Sequence, residues 1–109
     1  MEYEFSDIPK AIYEAKKKCA ESWPQYRYLK EMKEVTLFRL MNQYPIPDAS
    51  EAEKKRYAKS HPDYTKAIEE LKTASRAYET DQAHLIARQA ELEVQRSIQS
   101  TKRAEMQLI

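Results

Sequence analysis

The sequence predicts an all-α protein. Two N-terminal helices pack on one long C-terminal coiled-coil-like helix, and a short helix connects them. Three observations predict this. First, the chain contains no glycine, the residue that supplies positive φ for tight hairpin turns. Second, Ala, Glu, Lys, Gln, Arg and Leu dominate, while Val35 and Val94 are the only valines, so helix formers far outnumber strand formers. Third, apolar residues recur at three- and four-residue steps and do not alternate. With 109 residues, 34% of them charged and 41% hydrophobic, the chain has one domain's length and little apolar side chain. That supply suits a single elongated or self-associating helical domain better than a sphere.

The N-terminal helical pair is expected over 7–43. Asp7 suits an N-cap and Pro9 the first turn, where its missing N–H costs nothing. Ile8, Ile12, Ala15 and Cys19 then fall on one helix face, with Lys16, Lys17 and Lys18 mainly away from it. Pro24 interrupts. A proline inside a helix removes a hydrogen bond and clashes with the carbonyl four residues back. The helix either kinks there, or Ser22 caps a second helix with Trp23 and Pro24 in its first turn; the second arrangement costs less. Beyond it, Tyr26, Leu29, Leu37 and Leu40 form one apolar line, and Tyr28, Met32, Val35 and Phe38 another. Two lines predict burial on a broad face.

YPIPDAS, at 44–50, is the clearest boundary, because Pro45 and Pro47 each favour extended backbone in the residue before them. Ser50 and Glu53 then match a capping box that opens a short charged helix over 51–60. In the following SHPD, Ser60 suits a cap and Pro62 and Asp63 a first helical turn. After Pro62 no proline or glycine intervenes up to 108, which predicts one helix over 61–108 of roughly 70 Å at 1.5 Å per residue. Tyr64, Leu71, Tyr78, Leu85 and Leu92 recur every seventh residue, continuing as Gln99 and Met106. The companion heptad positions read as Ile68, Ser75, Gln82, Gln89, Arg96 and Arg103, so one side of a coiled-coil seam is apolar and the other turns polar. A second line, Ala83, Ala87, Ala90, Val94 and Ile98, lies on roughly the opposite side. It reads either as helix-favouring alanines facing solvent or as a contact for a second copy of the chain.

Several function classes lose their usual signals. Without glycine there is no ordinary Walker A loop or dinucleotide fingerprint. Cys19 is the only cysteine, which excludes an intrachain disulfide, and His61 and His84 lie far apart, so no zinc spacing is present. Cys19 sits on the apolar face, as a buried small hydrophobe would. The carboxylates alternate with Lys and Arg at offsets of three and four, as on solvated helix faces. The expectation is therefore no enzyme, no catalytic residue, no metal, no cofactor and no small-molecule substrate. The net charge is +1, so any electrostatic attraction must be local. No apolar run is long enough for a bilayer, and MEYEFSDIPK at the N-terminus is acidic and unlike a secretory signal. A cytoplasmic location without membrane contact is expected.

Two regions are candidates for binding. KKKCAESWPQYRYLKEMK mixes Lys16, Lys17, Lys18, Arg27 and Lys30 with Trp23, Tyr26 and Tyr28. Single-strand nucleic-acid binding uses cations for phosphates and aromatic faces for bases. The same residues also fit a helix with aromatic core positions and solvated lysines. The second region is the end of the long helix. Leu85, Leu92, Val94, Arg96, Ile98, Arg103 and Met106 are candidates for contact with a partner or a second copy. Basic residues in a last turn also favour the negative end of the helix dipole, which accounts for Arg103 and less well for Arg96.

SHPDYTKAIEEL, the long polar helix after it and RSIQSTKRAEMQLI resemble small helical proteins of the recombination and replication gene clusters of tailed bacteriophages. Their chain order is also similar, and some are distantly similar to recombination mediators of the UvsY type. The resemblance covers about residues 50–109. It implies a non-enzymatic accessory protein of phage DNA recombination or replication, in the cytoplasm of the bacterial host. A recombinase, a single-strand-binding protein, single-stranded DNA and further copies of the chain would be its partners. Arg96, Arg103 and Glu105 are the residues it singles out. A second reading is a helical interaction module that inhibits or adapts a host defence or nuclease complex.

Overall fold

The computed structural model describes residues 7–108. Three helices and no strand are found among them: α1 (Asp7–Asn42), α2 (Glu51–Ser60) and α3 (Pro62–Gln107). The all-α class, the short connecting helix and the long uninterrupted C-terminal helix agree with the sequence reading. No described residue has positive φ, in keeping with a chain that lacks glycine.

One expectation fails. α1 is a single helix of 36 residues with Pro24 inside it, and no second helix starts at Ser22. Pro24 and Ala20 are both exposed. The bond that proline removes would have run to the Ala20 carbonyl, and on a solvent face water donates to that carbonyl in place of the missing N–H. The helix therefore continues past a residue that would break it if buried. Asp7 is the first residue of α1.

The chain divides into two compact units. One is Ser22–Tyr78; the other combines the segment ending at Glu21 with the segment beginning at Glu79. In the Ser22–Tyr78 unit the core is Leu37, Leu40, Met41 and Ala58, with Tyr64 packed against it. Helix α2 thus inserts Ala58 beneath the end of α1 and the start of α3. Tyr44 and Tyr57 add a tilted ring pair at 5.2 Å beside it. Helix α1 ends in i→i+3 bonds from the Gln43 and Tyr44 amides to Leu40 and Met41 carbonyls, which satisfies terminal carbonyls without a glycine cap. The amide of Glu53 donates to Ser50 Oγ at 3.2 Å, the N-cap half of the expected box.

The α2–α3 joint is one residue. Ser60 is not the cap of α3: it ends α2, and its hydroxyl donates to the Tyr57 carbonyl at 2.9 Å. His61 has extended backbone and closes α2 through its own amide. Its Nδ1 accepts the Asp63 amide at 3.0 Å, so the imidazole takes the N-cap role that a serine or aspartate commonly fills. Arg39 of α1 then reaches Asp63 at 3.4 Å. Trp23 meets Tyr78 and Arg39 meets Asp63, so α1 and α3 run antiparallel in this unit.

In the other unit, Ile8 and Ala15 are buried and Ile12 and Cys19 half-buried on α1, the face that the spacing predicts. On α3 the half-buried positions are Asp81, Leu85, Arg88, Glu91, Leu92 and Gln95. Side chains of the two helices share one small groove here.

Candidate functional site

The basic–aromatic stretch of α1 does not gather into one site. Trp23, Tyr26 and Tyr78 form a cluster whose ring centroids lie 5.8–6.4 Å apart, with Tyr26 stacked on Tyr78 at an interplanar angle of 11°. Tyr26 is half-buried, so its ring holds α1 to α3. Trp23 keeps 43% of its surface exposed. Arg27 lies 5.7 Å over its ring and also pairs with Glu31 at 3.5 Å. A cation already covers part of the indole that a base would stack on. Lys30 is exposed on the same helix.

Tyr28 belongs to a different place. It lines a groove of about 290 Å³ with Met32, Arg39, Asp63, Lys66 and Glu70. The groove has an apolar wall and alternating charges, and the Arg39–Asp63 pair crosses one end of it. Val35 and Phe38, expected on the broad buried face with Tyr28 and Met32, are exposed. The Tyr26–Leu29–Leu37–Leu40 line turns inward, joined by half-buried Met32. Tyr28, Val35 and Phe38 of the second line stay exposed because α2 and α3 cover α1 from one side.

Lys16, Lys17 and Lys18 lie in the other unit. Lys16 and Lys17 are exposed. Lys18 lines a groove of about 210 Å³ with Glu14, Asp81, His84 and Arg88. Arg88 pairs there with Glu91, whose other carboxylate oxygen is buried without a hydrogen-bond partner. Among the described residues no group of three or more His, Cys, Asp or Glu is placed to hold a metal ion. Among the same residues no helix is long and apolar enough to cross a membrane.

The C-terminal candidates divide between two faces of α3. Leu85 and Leu92 are half-buried on the face shared with Arg88. Ile86, Val94 and Ile98 are 65%, 57% and 41% exposed, on the opposite side. From Arg96 to Gln107 every residue is exposed, including Arg103 and Met106. Arg96 pairs with its own Glu93 at 3.4 Å across open solvent, a contact worth little.

Two features escaped the sequence reading. The inward companion line of α3 is Ala67, Ala74, Asp81, Arg88 and Gln95, not Gln82, Gln89 and Arg96, which are exposed. Ile68 and Ser75 only flank it, half-buried. The companion of each Tyr64-line residue lies three positions on and not four; both spacings share a helix face, and alanines at the contact carry no strong apolar signal. The pairing of Tyr78 with Tyr26 was the other miss. The heptad placed Tyr78 on the inner face, but nothing local named the ring it would meet. The chain matches no protein-family model, no curated protein and no solved structure.

Proposed function

We propose that the chain is a non-enzymatic accessory protein of tailed-phage DNA recombination or replication that works by protein–protein contact. The contact part is supported by one observation. The last turns of α3, from Arg96 to Gln107, are exposed on every side and still carry Ile98 and Met106 beside Arg96, Lys102 and Arg103. Apolar and basic side chains together on a bare helix suit docking to a partner with an acidic, grooved surface. The phage and recombination part rests on the resemblance carried by SHPDYTKAIEEL and RSIQSTKRAEMQLI.

The test is binding of the full chain to a purified phage recombinase and to its single-strand-binding protein, followed by surface plasmon resonance. The expected result is binding to one of them, lost when the chain stops at Gln95. Absence of binding to either ends this reading. Capture of a purified host nuclease or defence complex in their place moves the role to inhibitor or adaptor.

Direct binding of single-stranded DNA is the second reading, favoured by the exposed part of Trp23 with Arg27 over its ring and Lys30 exposed on the same helix. Trp23 is the only tryptophan, so its fluorescence reports the site alone. A thymidine oligonucleotide at low salt should quench it, and added salt should reverse the effect. Unchanged emission together with unchanged oligonucleotide anisotropy removes the DNA reading and leaves the contact reading intact.

A further inference from the structure

Two grooves in the Ser22–Tyr78 unit are continuous. The groove of about 290 Å³ beside the Arg39–Asp63 pair and a wider one of about 690 Å³ reaching Gln25 and Ala77 share Leu29 and Glu70. Together they make one trough between α1 and α3 that runs from Asp63 to Ala77, roughly 21 Å at 1.5 Å per residue. Leu29, Met32, Ala67 and Ala74 give it an apolar lining. The alanines leave space beside two antiparallel helices for a third. Lys66, Glu69 and Glu70 stand along its α3 wall, all exposed. Their side chains make no ion pair among the described residues.

The last turns of α3 carry the complementary order. Ile98, Lys102, Glu105 and Met106 share one helix face and are exposed. Lys102 and Glu105 also make no ion pair among the described residues. We infer that this face of one copy lies in the trough of a second copy, antiparallel to that copy's α3. With Lys102 set between Glu69 and Glu70, Glu105 falls beside Lys66, because each pair is spaced by three residues. Ile98, one turn back, meets Leu29 and Ala74, and Met106 meets Met32 and Ala67. In the reverse direction Glu105 would lie over Ala74 and Ile98 beside Lys66, so the charge order selects one direction. Arg96 and Arg103 lie about 100–120° around the helix from Lys102 and remain in solvent. Because α3 is unbroken from Pro62 to Gln107, its end cannot turn back onto its own first half, and the contact joins two copies.

The contact area sets the strength. From Gln95 to Leu108 the docked end is roughly 20 Å long, which matches the trough. A helix about 10 Å across, sunk to half its girth, presents a strip about 15 Å wide. That covers about 300 Å² on each side, or about 600 Å² in all, below the usual range for stable complexes. The contact is therefore weak and reversible. It involves copies of this chain and no replication protein, so its failure leaves the proposed role standing.

Sedimentation equilibrium of the full chain from low-micromolar to near-millimolar concentration should show reversible association. Lys102→Glu in one chain, and Glu69→Lys with Glu70→Lys in another, change only exposed positions. Each chain should keep its helical circular dichroism and associate roughly tenfold or more weakly by itself. Mixed together the two should recover association, since the reversed end fits the reversed trough and the unchanged end the unchanged trough. Glu105→Lys and Lys66→Glu form a second such set, and their recovery on mixing tests the direction. A monomer at every concentration, association indifferent to these reversals, or no recovery in the mixtures would each overturn the inference.

Discussion

Replacing Pro24 by alanine separates two readings of α1 that predict opposite signs. If Pro24 sat in the first turn of a second helix capped by Ser22, it would be preorganised there, and Pro24→Ala would be neutral or destabilising. In the structure Pro24 is interior to a helix of 36 residues, where proline is about 3 kcal/mol less favourable than alanine. Alanine restores the donor facing the Ala20 carbonyl. Because Ala20 and Pro24 are exposed, water already hydrates that carbonyl and part of the penalty is absent. The unfolded chain also gains about 0.4–1 kcal/mol of conformational freedom when proline is removed. A net gain of about 1–2 kcal/mol remains. With a urea slope of about 2 kcal/mol/M, the middle of the range for a small protein, the midpoint followed by circular dichroism should rise by roughly 0.5–1 M. An unchanged or lower midpoint would refute the account of how α1 passes its proline.

Leu40→Ala should be the most damaging of the simple truncations, at about 2–5 kcal/mol, because Leu40 is fully buried among Leu37, Met41 and Ala58; a thermal melt measures it. His61→Ala should cost about 1 kcal/mol by leaving the Asp63 amide without its acceptor, and His61→Asn should recover most of that in urea titrations. Tyr78→Ala should shift Trp23 emission to the red, since Tyr78 lies 5.9 Å from the indole; an unshifted spectrum would mean that the ring cluster does not form in solution.

Much of the fold was legible because its signals are local. The proline-rich 44–50 segment, the Ser50 cap and the unbroken run from Pro62 each act over a few residues, and each produced the expected boundary. Pro24 misled because propensity counts the lost bond without knowing which side of the helix faces water. Burial around residue 24 is a tertiary fact, and it decided the outcome. His61 misled differently: capping preferences favour Ser60, one residue earlier, and an imidazole acceptor is too rare in that role to read from type alone. The candidate site was legible in part. Spacing separated Val94 and Ile98 from Leu85 and Leu92 by helix face. It could not separate Tyr28 from Tyr26, two residues apart but in different surroundings, because which face α3 covers depends on small alanines in α3 itself.

The single-residue link at His61 has a practical corollary. Two helix ends share one amide, one imidazole and one carboxylate, so the chain has no slack there to absorb an added residue. Lengthening it by even one position would rotate Tyr64 by about 100° around its helix and pull it off Leu40 and Ala58. A purification tag, fluorophore loop or protease site placed inside the chain therefore belongs between Pro45 and Ala49, where both neighbouring helices are already closed by their own bonds.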